Sequence, residues 1–196
     1  MHRRDFIKKV ILFSLSFVIL KTKIMANNLF KPFNLVDGVF VNNYVSHKSS
    51  FKDFWKWRRE SNKPEPISFP VIENNPEYLK SNKSEKTITW IGHSTFLLQI
   101  DGVNILTDPH FTERASPLSF MGPLRTTPPG LKIEELPFID FVLISHNHYD
   151  HLDSKTIQLL LKKQSLNQPL FFVPLKLKKV LTKFGARNVL EHEWWQ

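Results

Sequence analysis

One short segment constrains the fold of this chain more than any other. An apolar run at residues 141–144 leads directly into three histidines and an aspartate within residues 146–151. Such a run is typical of a strand buried on both faces. Asp153 then makes a good N-cap for a helix that runs through Lys163 with apolar residues on one face. The sequence therefore predicts a cluster of metal-capable side chains on one turn, at the carboxyl end of a buried strand.

The elements around that segment indicate the fold class. Asp101 and Gly102 stand between two apolar runs, which is a strong hairpin signal, and a proline-rich loop at 109–137 follows. In chain order, the predicted elements are strands at 87–91, 95–100, 103–107 and 138–145, a helix at 154–163, a strand at 170–173, a helix that starts at Pro174 and closes at Gly185, and a strand at 187–190. This order, β-β-β, loop, β-α-β-α-β, predicts an α/β layered domain.

The motif at 146–151 carries the chemistry. One residue separates His146 from His148 in extended backbone, so both imidazoles can point toward one ion. The chain then turns and brings Asp150 and His151 toward a second ion. Because the chain has no cysteine, thiolate sites are excluded, and imidazole and carboxylate donors suit zinc, with iron or manganese as alternatives. Two such ions about 3.5–4 Å apart can share a water and lower its pKa toward 7.

The first 26 residues resemble an export signal of the bacterial twin-arginine type. Arg3 and Arg4 precede an uncharged run at residues 10–20, and Ala26 follows as a small residue at a cleavage point. As a helix this run spans about 16 Å, too short for a bilayer core of about 30 Å. The alternative is an uncleaved amphipathic or membrane-anchoring N-terminus. We expect a protein exported to the periplasm or to the outer face of the inner membrane.

An extension at residues 27–86 precedes the regular domain. Four prolines within 64–76 exclude a long helix there. Residues 51–59 predict a short helix with an aromatic side and a basic side. Such a helix either makes a peripheral contact with an anionic membrane or packs its aromatics on the main domain. The net charge is +9, of which residues 1–26 supply +5, so the remainder does not indicate a nucleic-acid partner.

The motif resembles the H-x-H-x-D-H signature of the metallo-β-lactamase superfamily. Over residues 85–195 the chain further resembles the zinc phospholipases that hydrolyse N-acylphosphatidylethanolamine, and their bacterial relatives. The stretches that carry this resemblance are Trp90-Ile-Gly-His-Ser-Thr95, Leu106-Thr-Asp-Pro109, Arg114-Ala-Ser-Pro117, Met121-Gly-Pro123, Glu135-Leu-Pro137, Leu143-Ile-Ser-His-Asn-His-Tyr-Asp-His-Leu-Asp153, Phe172-Val-Pro174 and Glu193-Trp-Trp195. The resemblance implies an αββα sandwich, two zinc ions, and hydrolysis of a lipid phosphodiester by a metal-bound hydroxide to release phosphatidic acid.

The resemblance also assigns the ligands. His146 and His148 would bind the first zinc, Asp150 and His151 the second, and Asp150 would also orient the hydroxide as the catalytic residue. Each pair is at least one ligand short of a tetrahedral set. In the family, a third His, a bridging Asp and a closing His come after the region that matches Trp194 and Trp195. We therefore expect residues 87–196 to be the N-terminal half of the sandwich, with the C-terminal half missing from this chain.

Four further residues are candidates because of where they lie along the chain. Asp108 follows a predicted strand and either accepts a hydrogen bond from a ligating imidazole or serves as a turn residue. His93 either belongs to the site or sits in a capped turn. Arg114 and Arg125, in the long loop, either meet a substrate phosphate or form surface ion pairs.

The expected function is that of a zinc-dependent hydrolase, a phosphodiesterase of the phospholipase D type. Because a fold does not determine a substrate, hydrolysis of a lactone or another small-molecule ester is the alternative. An inactive metal-binding fragment is the non-enzymatic alternative.

Overall fold

The computed structural model describes residues 35–36, 39–41, 50–61, 72–118 and 120–193. They belong to two compact units, one within Met1–Asn62 and Glu193–Gln196, the other within Lys63–His192. The predicted export segment, residues 1–26, lies outside the described residues. Within these described ranges, no helix has the length and apolar character needed to cross a bilayer.

In its described residues, the smaller unit contains two paired strands and the helix at 51–60. Strand β1, Leu35–Val36, pairs antiparallel with β2, Val39–Phe40. Helix α1, Phe51–Glu60, begins at a capping box in which Ser50 and Asp53 accept each other's backbone N–H. Every residue of α1 is exposed. The predicted short aromatic and basic helix is confirmed.

The larger unit is built on one mixed six-stranded sheet. Its elements are α2, Pro76–Ser81; β3, Thr87–Gly92; β4, Thr95–Ile100; β5, Val103–Thr107; β6, Phe141–Leu143; α3, Ser154–Lys163; β7, Leu170–Pro174; α4, Lys178–Lys183; and β8, Val189–His192. The strands lie in the order β3-β4-β5-β6-β7-β8. The first two pairings are antiparallel, and the last three are parallel. The predicted α/β order is confirmed.

One row of buried side chains crosses the sheet from edge to edge. Its members occupy aligned positions in neighbouring strands: Thr89, Leu97, Leu106, Val142, Phe171 and Val189. All except Thr89 belong to the core, together with Ile157 and Leu160 of α3 and Leu181 of α4. Burial of this apolar row is the main force that holds the helices on the sheet.

The opposite face of the sheet is apolar but only partly covered. Leu143 is 37% exposed and Trp90 is 51% exposed, although both lie in strands. The prediction that the strand at 141–144 is buried on both faces is therefore wrong. In the described part of the chain, the core residues of the helices join only one face of the sheet.

Two further element predictions need correction. Pro174 does not start a helix; it ends β7, where it lies opposite His192 of β8. Because Lys176 adopts a φ of +74°, the chain turns before α4 begins. Regular structure also starts before Thr87, since Leu79 of α2 is buried in the core. The predicted apolar face of α4 is confirmed, because Leu181 has no exposed surface.

The long loop at 109–137 is fixed at several points. The Gly130 N–H donates to the carbonyl of Ile91 in β3, at 2.8 Å. The ammonium of Lys163 donates to carbonyls at both ends of the short 3-10 helix Ile133–Glu135. The Thr112 N–H donates to the Asp153 carboxylate that caps α3. These bonds hold the loop over the end of the sheet.

We predict that Asp153→Ala lowers the free energy of unfolding by about 2–3 kcal/mol. The buried carboxylate accepts from the N–H groups of Lys155, Thr156 and Thr112, so its loss removes the helix cap and one loop anchor together. Urea unfolding at 25 °C measures the change. Asp101→Asn is the control, because Asp101 is an exposed turn residue at a φ of +51°, which asparagine tolerates. A loss below about 1 kcal/mol for Asp153→Ala would contradict the anchoring role.

Candidate metal centre

Three chain segments meet at one end of the sheet, where β5 and β6 finish. Residues 144–151 follow β6, Asp108 follows β5, and His93 lies in the turn between β3 and β4. Because β5 and β6 are parallel, their carboxyl ends lie side by side, and the Asp108 N–H donates to the Leu143 carbonyl at 2.8 Å. Because β3 and β4 pair antiparallel, and β4 and β5 do so too, the β3–β4 turn lies at the same end of the sheet. The topology therefore gathers residues that are far apart in sequence.

Asp108 is buried among these three segments. Its Oδ1 accepts from the Ser145 N–H at 2.7 Å, and its Oδ2 accepts from the Ser145 hydroxyl at 2.7 Å. The same Oδ2 lies 2.9 Å from Nδ1 of His151. The expected hydrogen bond between Asp108 and an imidazole of the motif is therefore present. Asp108 is also a turn residue, with a φ of +36°.

These hydrogen bonds determine which ring nitrogen carries the proton in His146 and in His151. A carboxylate only accepts, so Nδ1 of His151 donates to Asp108. The Ser145 hydroxyl gives its one proton to Asp108, so it accepts from Nδ1 of His146, at 2.9 Å. With the proton on Nδ1, both His146 and His151 present an unprotonated Nε2, which is the form that binds metal.

The metal-capable atoms form two groups. In the first group, Nε2 of His146 lies 3.1 Å from Nδ1 of His148. In the second group, the ligand atoms of His93, Asp150 and His151 all lie within 4.8 Å of one another. The rings of His146 and His151 are 4.0 Å apart and connect the groups. Imidazole nitrogens with a carboxylate oxygen form a donor set that suits a divalent transition metal such as zinc.

The protonation states favour metal binding. Partial burial lowers the pKa of His146, and the neighbouring His151 and His148 lower it further. Partial burial by itself would raise the pKa of Asp150, but its own backbone N–H, His151 and His93 together lower it. His146 is thus kept neutral and Asp150 ionised near neutral pH, which are the states that metal ligands require.

His93 lies in a turn and also next to Asp150 of the motif. It occupies a turn, because Gly92 has a φ of +144° and His93 a φ of +51°. Its Nε2 also lies 2.9 Å from Oδ2 of Asp150. The indole N–H of Trp90 donates to the His93 carbonyl at 2.9 Å and holds the turn in place.

A cavity of about 360 Å³ lies beside the second group, with His93 and Asp150 in its wall. Arg125 also lines it and donates through Nε to the Thr112 carbonyl and through Nη2 to the His110 carbonyl. A Cβ on Gly92 would lie 2.7 Å from Nη1 of Arg125, and the φ of +144° at Gly92 is one that other residues rarely adopt, so glycine suits this position.

Arg114 does not line this cavity. Its guanidinium donates to the Gly122 carbonyl at 2.8 Å, and the residue lines a different cavity with Ser116 and Pro117. Of the two arginines that the sequence proposed for substrate, the structure brings Arg125 next to the metal-capable group.

Sequence reasoning did not select His110 and Ser145. His110 is buried, its Nδ1 lies 3.0 Å from Arg125, and it lines the cavity. Burial lowers the pKa of His110, and the positive charge of Arg125 adds to this effect. Their positions in the sequence could have indicated them, because His110 comes two residues after Asp108 and Ser145 directly precedes His146.

Comparisons with known proteins identify relatives of this chain. The chain is 43% identical over 112 residues to N-acyl-phosphatidylethanolamine-hydrolyzing phospholipase D 1 of Caenorhabditis elegans, over 54% of this chain and 31% of the worm protein. It is 40% identical over 136 residues to the mitochondrial N-acyl-phosphatidylethanolamine-hydrolyzing phospholipase D of Saccharomyces cerevisiae, over 67% of this chain and 28% of the yeast protein. The chain spans about a third of the length of the curated relatives it matches.

A solved structure and a protein family also match. The crystal structure of a possible metal-dependent hydrolase from Veillonella parvula matches with a TM-score of 0.43 at 22% identity, over 55% of this chain and 42% of that one. Residues 87–192 match the family described as the beta-lactamase superfamily domain. Because this family match covers more than half of the chain, the protein belongs to the metallo-β-lactamase superfamily, with its metal-dependent hydrolases.

Proposed function

We propose that this chain forms part of a phosphodiesterase that hydrolyses phospholipids of the N-acylphosphatidylethanolamine class with two zinc ions. One observation carries the proposal: Asp150 belongs to the metal-capable group and also lines the cavity that holds Arg125. A phosphate held by Arg125 would therefore lie next to the metal centre. The worm and yeast relatives are named for this activity.

The donor set fits the metal. His146 and His148 would hold the first zinc, and Asp150 and His151 the second. Asp108 fixes the proton of His151 directly and that of His146 through Ser145. When bound, two zinc ions supply a Lewis acid for phosphoryl oxygens and lower the pKa of a shared water toward 7.

The chain's own residues supply recognition and orientation. Nε and Nη2 of Arg125 bond to residues 112 and 110, so Nη1, on the side of Gly92, is the part directed to a phosphate oxygen. A guanidinium keeps its charge at any physiological pH and matches a phosphate well. Asp150 is the catalytic carboxylate in this proposal, and its Oδ2 orients the attacking water. Trp90 and Leu124 give the cavity an apolar wall.

A lipid substrate requires contact with a membrane surface, and α1 has the composition for it. Phe51, Phe54, Trp55 and Trp57 form one cluster, with ring centroids 5.9–6.1 Å apart between neighbours. Phe51 is 75% exposed and Trp57 is 63% exposed. At 100° per residue, the aromatic side chains occupy one side of the helix with Arg58 among them, and Lys52, Lys56 and Arg59 lie along one edge of that side.

This pattern is that of a helix that lies in a membrane interface. Indole and phenyl rings enter the headgroup region, while lysine and arginine meet anionic lipid phosphates. We therefore propose that α1 contacts an anionic lipid surface. The proposed export by residues 1–26 would place the protein at such a surface outside the cytoplasm.

The first prediction tests the substrate class. The protein expressed from its complete gene should release phosphatidic acid from N-acylphosphatidylethanolamine in mixed micelles with Zn²⁺. Mass spectrometry of the lipid products measures this release. Arg125→Gln should lower kcat/KM by about 100-fold, because the phosphate loses a charged partner. The same variant should change hydrolysis of a neutral lactone or nitrophenyl ester by less than about fivefold.

Lys132→Gln is the matched control, because Lys132 is an exposed loop residue that does not line the cavity. Faster turnover of the lactone or ester than of the lipid would favour the alternative substrate class. Zinc binding without hydrolysis of any of these compounds would favour an inactive metal-binding protein.

The second prediction concerns Asp108. Asp108→Asn should weaken Zn²⁺ binding about 10- to 100-fold, because one accepting oxygen becomes a donating NH₂ group that must face either the Ser145 N–H or the Nδ1–H of His151. Competition with a chromophoric chelator measures the affinity. Asp101→Asn makes the same chemical change at an exposed turn and should leave the affinity unaltered. Equal affinities for Asp108→Asn and the unmodified protein would exclude the positioning role.

The third prediction tests α1. The protein should sediment with phosphatidylcholine vesicles that contain about one-third phosphatidylglycerol, and less with phosphatidylcholine alone. Replacing Trp55 and Trp57 with serine should lower binding at least about tenfold, because the rings supply the apolar contact. Leu166→Ser is the control, since Leu166 is a highly exposed apolar residue in the other unit. Absence of binding to anionic vesicles would refute the membrane contact.

A further inference from the structure

The backbone of the long loop holds Arg125 and determines which part of its guanidinium is available to a ligand. Nε donates to the Thr112 carbonyl at 3.3 Å, and Nη2 donates to the His110 carbonyl. Nη1 lies on the side of Gly92. The guanidinium therefore has one fixed direction in the cavity that it lines.

The imidazole of His110 makes a second bond to the same nitrogen of Arg125. Its Nδ1 lies 3.0 Å from Nη2. Because arginine has no acceptor, Nη2 donates and Nδ1 accepts, which places the proton of the neutral imidazole on Nε2. Nη2 carries two hydrogens, and His110 accepts one at its carbonyl and the other at its ring. In the described part of the chain, the bonds of Arg125 thus involve Nε and Nη2 and leave Nη1 for a ligand.

The burial of His110 indicates that its imidazole is present for this bond. The residue is 5% exposed, and within the described residues its buried Nε2 makes no hydrogen bond. A buried N–H without a partner destabilises a fold, whereas an apolar side chain of similar size does not. A residue that only filled space here would therefore be apolar.

We propose that His110 is a positioning residue, which fixes Arg125 so that its guanidinium meets an anionic group of the substrate. This inference rests on the proposed function for the phosphate that Arg125 binds. The hydrogen bond between the two side chains does not depend on that function.

The charge state of His110 suits this role. Burial lowers its pKa, and the positive charge of Arg125 lowers it further. His110 is thus neutral near neutral pH and holds the guanidinium without cancelling its charge. A carboxylate in the same place would form an ion pair with Arg125 and weaken its attraction for a phosphate.

The backbone of His110 connects Arg125 to the candidate metal centre. Its N–H donates to the Thr95 hydroxyl at 3.1 Å, and this hydroxyl donates to the Asp108 carbonyl at 2.8 Å. Asp108 in turn orients His151. The residues that hold Arg125 and those that orient the metal-capable group therefore belong to one hydrogen-bonded chain, which fixes their spacing.

The first test compares two substrates, with the protein expressed from its complete gene. His110→Leu fills the space but removes the acceptor. We expect it to raise KM for N-acylphosphatidylethanolamine, in mixed micelles with Zn²⁺, about tenfold and to change kcat by less than about threefold. Hydrolysis of a neutral nitrophenyl ester should change by less than about twofold, because this substrate has no phosphate to orient.

His192→Leu is the matched control for this substitution. It makes the same chemical change at another histidine whose Nε2 has no hydrogen bond within the described residues, and His192 does not line the cavity. We expect its kinetic constants for both substrates to equal those of the unmodified protein.

Two further variants separate positioning from a structural role. In His110→Asn the amide oxygen takes the place of Nδ1, so the lipid KM should stay within about threefold of the unmodified value. In an Arg125→Gln background, His110→Leu should change kcat/KM for the lipid by less than about twofold, because its effect acts through the guanidinium. Equal losses in both backgrounds would show a structural role and overturn the inference.

A measurement without substrate separates this inference from the proposed function. In protein labelled with ¹⁵N-arginine, the guanidinium signals of Arg125 are identified by their loss in Arg125→Gln. His110→Leu should speed solvent exchange of the Nη hydrogens at least about tenfold, and that of the Nε hydrogen, bonded to Thr112, by less than about threefold.

An unchanged lipid KM in folded His110→Leu would overturn the inference. If this variant melts at a lower temperature, His110→Gln gives the same comparison, because its amide oxygen lies one bond beyond the position of Nδ1. Faster Nη exchange in His110→Leu, together with equal losses of lipid and ester hydrolysis in Arg125→Gln, would overturn the proposed substrate class. His110 would then remain the residue that holds Arg125.

Discussion

The hydrogen bonds of the buried Asp108 carboxylate hold the candidate metal centre together. Its two oxygens accept three hydrogen bonds, two from Ser145 and one from His151. Its backbone N–H and C=O are bonded as well, to Leu143 and to the hydroxyl of Thr95. One residue thus joins the end of β5, the end of β6 and the β3–β4 turn. A buried carboxylate is stable only with such partners, so the centre and the sheet edge support each other.

Two residues with strained backbone lie at the same end of the sheet. Four described non-glycine residues have a positive φ: His93, Asp101, Asp108 and Lys176. Two of them, His93 and Asp108, contribute side chains to the metal-capable cluster, while the other two lie in turns. Strained backbone persists where surrounding contacts determine it, and it is common at functional sites. Here the hydrogen bonds of Thr95, Trp90 and Ser145 supply those contacts.

The metal-capable residues and the proposed substrate-binding residue lie on different parts of the chain. The histidines and Asp150 follow a core strand, whereas Arg125 belongs to the long loop that α3 and β3 hold in place. A loop can change without loss of the core, and this explains how one superfamily supports many hydrolases. In this chain, Arg125 of the loop and Asp150 of the motif line the same cavity.

Local patterns in the sequence were sufficient for the order of elements, the Asp101–Gly102 hairpin, the Asp153 cap and the motif at 146–151, because each depends on neighbouring residues alone. The exposure of Leu143 and the end of β7 at Pro174 depended on what packs or pairs across the sheet, so the sequence predicted them incorrectly. The grouping of His93 with Asp150 and of Asp108 with His151 also required tertiary structure. These residues are 43 or more positions apart, and only the register of the strands brings their atoms within bonding distance.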